Sequence, residues 1–264
     1  MINEFVRSEE AVFSHWALVR KHRNSVIIDH SFSDPRRFVT GIGNNIFHFR
    51  EIGAKSVIQS IKCNAGMRQV FAYLCKTRGI SSEIVSQLAH DKLLYQDKKG
   101  NAVFVHRDEN GNAVGAEIQG TNSEKRYKRV AQGTSESVFA VKIGEPKKCY
   151  VFESAIDLLS FKQLANPEKI NNSVLVSMAG LKLNSLKSIT EKGIKMYSCV
   201  DNDGAGISFT AASKFTPCRR ILEENGVKDY NELLQKIVRE QQKIQTKPPQ
   251  VSDKKSSKAS HSHR

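Results

Sequence analysis

The residues 199–206, CVDNDGAG, place Asp201 and Asp203 two positions apart where an apolar stretch ends. A second apolar run, CYVFE, closes on Glu153. Hard divalent cations take oxygen ligands, and Mg²⁺ is commonly held by one or two carboxylates while the rest of its shell stays open to water and phosphate. Three carboxylates at neighbouring strand ends would surround one or two such ions, and a pair of ions stabilises both the attacking and the leaving oxygen of a phosphoryl transfer. Gly204 and Gly206 would let a phosphate chain approach the backbone. The plainer reading is that Asp201 caps a turn and Asp203 caps the helix beginning near Gly204. That reading leaves Glu153 unexplained. A calcium loop starting at Asp201 would need ligands where Ala205 and Ala212 stand, so it is excluded. A phosphatase with D-x-D on its first strand would need more chain than the roughly 60 residues that follow.

These acids need strands and helices to position them, and the second half of the chain alternates the two. Strands are expected at 149–153, 173–178, 194–200 and 218–222. Helices are expected at 155–165, 181–193, 206–215 and 229–242. Such alternation means a parallel α/β sheet with βαβ crossovers, whose strand carboxyl ends line a site crevice. Glu153 and Asp201 both fall at such ends. The first half differs. Short strands are expected at 25–29 and 45–49, a helix at 67–79, and a Ser-capped helix at 81–94. Alternating apolar residues flank DENGN, which predicts a hairpin of strands 102–107 and 113–119. A basic run, SEKRYKR, follows at 123–129.

The 264 residues carry 41 Lys and Arg against 27 Asp and Glu, a formal charge of +14. Residues 241–264 hold six basic groups and one acid, hence +5, in a Lys-, Ser- and Pro-rich segment expected to be a disordered tail. The excess left on the body fits a polyanionic partner, nucleic acid first. The cysteines are Cys63, Cys75, Cys149, Cys199 and Cys218. No two have zinc-ribbon spacing, and their odd number and wide scatter argue against a disulfide framework, so they are expected to be reduced thiols of a cytoplasmic protein. No signal peptide and no membrane span are expected.

Residues 149–232 resemble a TOPRIM domain, the catalytic module of bacterial-type primases, type IA and II topoisomerases and some nucleases. VFESAIDLLSF resembles the first motif, with Glu153 at the strand end and Asp157 four residues on. VSMAG resembles the second strand and its glycine, Gly180. CVDNDGAG resembles the D-x-D-x-A-G of the primase-like branch, and KDYNELL the KDWN ending of its mobile-element members. Upstream, AVFVHRDENGNAVGAEIQGT resembles the primase-core segment, with Gln119 near where replicative primases carry Arg. VFAYLCKTRGISSEIVSQL and LLYQDKKGNAVFV are similar to the domain of unknown function fused ahead of TOPRIM in proteins of Gram-positive conjugative plasmids and transposons. The resemblance implies an α/β TOPRIM domain, a Rossmann-like parallel sheet with flanking helices, over 148–240. An α+β primase-core-like domain over 67–147 precedes it, with a divergent region over 1–66 and the tail over 241–264.

It also implies a metal-dependent, primase-like nucleotidyltransferase on single-stranded DNA, serving replication or conjugative transfer of a mobile element alongside the proteins of those processes. Asp201 and Asp203 would bind Mg²⁺ or Mn²⁺. Glu153 would be a further ligand or a general acid/base, and Asp157 a further ligand or a support behind the ligands. Lys125, Arg126, Lys128, Arg129, Arg107 and Lys228 would contact template or nucleotide phosphates, with Tyr127 stacking a base. His22, His30, His48 and Cys63 lack ligand spacing, so no zinc is expected. The rivals are a metal-dependent nuclease using the same acids and a non-catalytic DNA-binding accessory protein. A topoisomerase is disfavoured, because its nucleophilic Tyr normally lies on another domain.

Overall fold

The computed structural model describes residues 66–245, apart from residues 123, 126 and 132–136. The strands expected at 25–29 and 45–49, the four candidate zinc residues, Arg126 and most of the basic tail lie outside the described residues. The described part is built on two sheets. The first is antiparallel, in the order β1 (Leu94–Gln96), β2 (Ala102–Arg107), β3 (Ala113–Gln119) and β4 (Lys128–Val130). The expected hairpin is present at both of its bounds, and Asp108 organises the turn by accepting the N–H groups of Asn110 and Asn112. Ahead of this sheet, α1 (Arg68–Phe71) runs into a π-helical segment, Ala72–Thr77, and α2 (Ser82–His90) starts on the Ser81 cap.

The second sheet has the order β5 (Phe139–Ile143), β7 (Ser173–Ser177), β6 (Lys148–Phe152), β8 (Lys195–Ser198) and β9 (Thr216–Pro217). All pairings are parallel except β5 on β7. β5 lies before the expected boundary at 147, yet it belongs to this sheet. The helices are α3 (Ala155–Leu164), α4 (Pro167–Ile170), α5 (Lys187–Thr190), α6 (Gly204–Ser213), α7 (Arg220–Asn225) and α8 (Tyr230–Gln245). β6 shows how both faces are covered. Cys149 and Val151 join Val176, Met196 and Phe209 on one side, while Tyr150 and Phe152 join Phe161 and Tyr230 on the other. Successive strand side chains point to opposite faces, so a strand covered on both sides must be apolar throughout. Phe104 of β2 meets Phe139 of β5 edge-on at 5.3 Å, which fuses the two sheets into one core.

Three expectations need correction. Residues 181–193 form no single helix but a 3₁₀ turn, Leu183–Leu186, followed by short α5. There the Ser185 and Thr190 hydroxyls bond back to the Lys182 and Lys187 carbonyls, a local alternative to helical pairing. The segment at 218–222 is not a strand. The strand is Thr216–Pro217, and Arg220–Asn225 is helical, supported by Arg219–Glu223 and Arg220–Glu224 pairs and closed by left-handed Gly226. The last helix runs to Gln245 rather than ending at 242, further into the segment expected to be tail.

Candidate active site

The parallel strands end on one edge, and the loops that leave them carry the acids. β6 runs into Glu153, and Ser154 then caps α3 by accepting the Asp157 N–H. β8 ends at Ser198, and Val200 leads into Asp201, Asn202 and Asp203. Asp203 does two jobs. Its Oδ1 accepts the Gly206 N–H at 3.0 Å and caps α6, while its Oδ2 lies 3.1 Å from Lys228 Nζ. The same ammonium lies 3.2 Å from Asp201 Oδ2. The capping reading is present at Asp203, and the cation that the two aspartates share is the Lys228 ammonium.

Lys228 is fixed from its own loop. Its carbonyl accepts the Asn202 N–H at 2.7 Å, and its N–H donates to Glu232 at 2.7 Å. Asp229 accepts the Glu232 N–H at 2.7 Å at the start of α8.

The charges follow from this geometry. Burial, and then the nearby Asp229, hold the Asp201 carboxyl above the usual aspartate value despite Lys228. Asp203 is partly exposed and sits below it, first through the Gly206 N–H and then through Lys228. The two aspartates hold the Lys228 ammonium protonated well above the ordinary lysine value. Glu153 is half-buried and raised, first by burial and then by Asp201, with Lys128 pulling the other way. Asp157 is buried behind this group. Its carboxylate accepts the Asn231 N–H at 3.2 Å and bonds the Ser154 hydroxyl, and burial with Asp229 pushes it up to about 8.

The donor chemistry suits a hard divalent ion. Two carboxylates, Asp201 and Asp203, already converge on one cationic group. Among the described residues no three His, Cys, Asp or Glu side chains form a metal-holding cluster, so the structure does not bring Glu153 or Asp157 together with Asp201 and Asp203 as one ligand set, and the group the two aspartates share is the Lys228 ammonium.

The glycines differ in what they are needed for. A Cβ at Gly206 would fall 2.0 Å from the Asp201 carbonyl, so only glycine lets α6 seat against the acidic loop. Gly180 has φ +119° and donates its N–H to the Glu153 carbonyl at 2.8 Å. Gly204 meets nothing within 4 Å.

The basic residues separate. The β3–β4 register pairs Lys128 with Gln119 and Arg129 with Ile118, so the two basic side chains leave opposite faces of the sheet. Lys128 lies 3.9 Å from Glu117 and its charge reaches Glu153. Arg129, Lys125 and Tyr127 are exposed. Arg107 holds the Gly111 and Lys92 carbonyls at 2.6 and 2.9 Å, a hairpin-bracing role beside the expected phosphate contact.

Sequence reasoning missed Glu117, Asp229 and Asn231. Asp229 and Asn231 lay in plain view in KDYN, whereas Glu117 gave no signal, being one polar residue in an alternating strand. Cys149 and Cys75 are free, and burial raises their thiols to about 12 and about 11, as fits unreactive core residues.

The fold and this acidic edge define an α/β protein with a Toprim-like domain, and residues 150–236 match the Toprim-like family. Residues 72–146 match the family described as a protein of unknown function (DUF3991), so the chain carries a DUF3991 segment followed by a Toprim-like domain. An uncharacterized protein of Bacillus anthracis, pXO2-78, is 34% identical over 152 residues, covering 52% of this chain and 44% of that protein. A 65 kDa protein of Zymomonas mobilis is 35% identical over 119 residues, covering 42% of this chain and 20% of that protein. The chain thus spans less than half the length of these relatives. The primase fragment of the bacteriophage T7 primase-helicase protein is similar at a TM-score of 0.45 and 21% identity, over 64% of this chain and 72% of that one. The DnaG catalytic core is similar at 0.42 and 14%, over 72% and 75%. Among the described residues no helix is long and apolar enough to cross a membrane.

Proposed function

We propose that the protein is a primase-like, divalent-metal-dependent nucleotidyltransferase that joins nucleotides on single-stranded DNA. In this reading it serves replication or conjugative transfer of a mobile element. The observation that carries the reading is the convergence of Asp201 and Asp203 on the Lys228 ammonium, within electrostatic reach of Glu153, at the strand ends of a Toprim-like sheet. Asp201 and Asp203 would hold Mg²⁺ or Mn²⁺, which when bound neutralises phosphate charge and lowers the barrier to attack on phosphorus. Glu153, raised by burial, is suited to hold or take a proton at its carboxylate, or to complete the ligand set. With a divalent ion held by the aspartates, Lys228 would be free to meet a phosphate. Lys128, Lys125 and Arg129 offer charge to the template or nucleotide, and exposed Tyr127 offers a ring for stacking. The element-borne role rests on the resemblance to proteins of conjugative plasmids and transposons.

Incubation with single-stranded DNA, nucleotides and Mn²⁺ tests this. Wild type should extend or synthesise, and Asp201→Ala should not. DNA that becomes shorter without nucleotides would instead mark a nuclease. One observation favours a second reading. Lys228 already neutralises the aspartate pair, as a non-catalytic DNA-binding protein would need. Salt-sensitive DNA binding that is indifferent to chelator, with no product, would select it.

A further inference from the structure

Glu117 lies on β3, in the first sheet, yet its carboxylate is fully buried against the loops of the second. It accepts the Ala155 N–H at 3.1 Å, two residues beyond Glu153 and in the first turn of α3. It also accepts the Ser177 hydroxyl at 2.8 Å, at the end of β7. The direction of that second bond is fixed. Ser177 Oγ takes the Ala179 N–H at 3.2 Å, so its own proton goes to Glu117. Lys128 Nζ is 3.9 Å away. Every group facing this carboxylate is thus a donor or a cation, and the positive end of α3 adds to them. Burial raises the Glu117 carboxyl above the usual glutamate value, and Lys128, the Ser177 hydroxyl and the Ala155 N–H work against that rise, so a buried acceptor held in this way is costly to disturb. The two loops it grips are the ones that carry and brace Glu153, since the Ser177–Gly180 loop in turn donates the Gly180 N–H to the Glu153 carbonyl.

We propose that Glu117 is a positioning residue for the acidic centre: from the first sheet it fixes the loop that presents Glu153 and keeps Lys128 beside that side chain. The DUF3991 segment then contributes directly to the geometry of the Toprim-like site. Glutamine has the same shape but brings an amide donor to a place where only acceptors fit, so Glu117→Gln should loosen the loop without opening a cavity.

The inference rests on the proposal that Asp201 and Asp203 hold a divalent ion, taken in the form in which Glu153 completes the ligand set. Its test is Mn²⁺ binding, followed by electron paramagnetic resonance of the free ion, in the full chain at a temperature where circular dichroism shows each variant folded. Glu117→Gln should weaken binding about tenfold, the lower end of what outer-shell partners contribute to metal sites. In a Glu153→Gln background the same change should add almost nothing, because both act through one side chain. Ser177→Ala, a milder cut of the same clamp, should give a smaller loss that also vanishes in that background. Wild-type Mn²⁺ affinity in Glu117→Gln, or in Ser177→Ala where Glu117→Gln does not fold, would overturn the inference. So would an equal loss with and without Glu153. A wild type that binds no Mn²⁺ would overturn the metal reading itself.

Discussion

Lys228 Nζ stands 3.1 Å from Asp203 Oδ2, and the two residues come from loops that precede different helices, α8 and α6. The backbones meet as well, through the Asn202 N–H and the Lys228 carbonyl. Asp203 also caps α6, so one residue is tied into a helix start, a cross-loop ion pair and the pair with Asp201. A cation at this point relieves the repulsion between two aspartates held side by side, and the ammonium supplies it from within the chain.

Lys228→Met should therefore leave the aspartate pair without a counter-charge. Asp201 is largely buried, but Lys228 is more than half exposed and Asp203 partly so, so the cost in chelator is about 1 kcal/mol. Millimolar Mg²⁺ should raise the melting temperature of the variant more than that of wild type, because no ammonium has to leave. Equal responses to Mg²⁺ would show that Lys228 does not share its position with an ion.

Asp157 predicts a pH dependence. Its carboxyl is raised by burial and by Asp229 to about 8, against an ordinary value of 3.8. Between those values the native state keeps a proton that the unfolded chain has released, so stability must fall as the pH rises through that window. Asp157→Asn should flatten this slope, since an amide can still accept the Asn231 N–H. Urea midpoints at pH 5 and pH 8 check it. The same slope in the variant would assign the effect to other groups.

Gly206→Ala and Gly204→Ala should behave oppositely. The first places a Cβ 2.0 Å from the Asp201 carbonyl and must displace the acidic loop, at a cost of roughly 3 kcal/mol. The second meets open space at the start of a helix and should be neutral or stabilising by up to about 1 kcal/mol. Thermal unfolding separates them, and equal losses would contradict the close approach at Gly206.

Asn231 ties α8 to the first part of the structure. Its amide donates to the Arg78 carbonyl at 2.8 Å and the Ser160 hydroxyl at 3.0 Å, and its oxygen accepts from Gln235 at 2.7 Å. Asn231→Ala strands buried groups and should cost about 1–3 kcal/mol in urea unfolding. A loss below a few tenths would mean that water replaces the amide.

What the sequence made legible was local chemistry. DENGN between alternating strands specifies the hairpin, and apolar runs ending in acids locate Glu153 and Asp201. Segments whose structure depends on partners were harder. The short stretch CRRIL at 218–222 lacks a period that separates helix from strand, and it forms a helix that buries Leu222 and gains modestly from the i,i+4 ion pairs of Arg219 and Arg220. Glu117 was hidden for a different reason. A polar residue in an alternating strand is ordinarily solvent-facing, and its burial comes from Ala155 and Ser177, which lie 38 and 60 positions away. Asp229 caps α8 through the Glu232 N–H, and its charge on Asp157 and Asp201 emerges only when the loops are brought together.

The most direct measurement of the central claim is incorporation of labelled nucleotide on single-stranded DNA by the full chain, with Mn²⁺ and with chelator, beside Asp201→Asn. The account predicts product with wild type and Mn²⁺ only, and its loss in the variant while the fold persists. Product unchanged in Asp201→Asn, or none from a wild type that binds DNA and nucleotide, would contradict it.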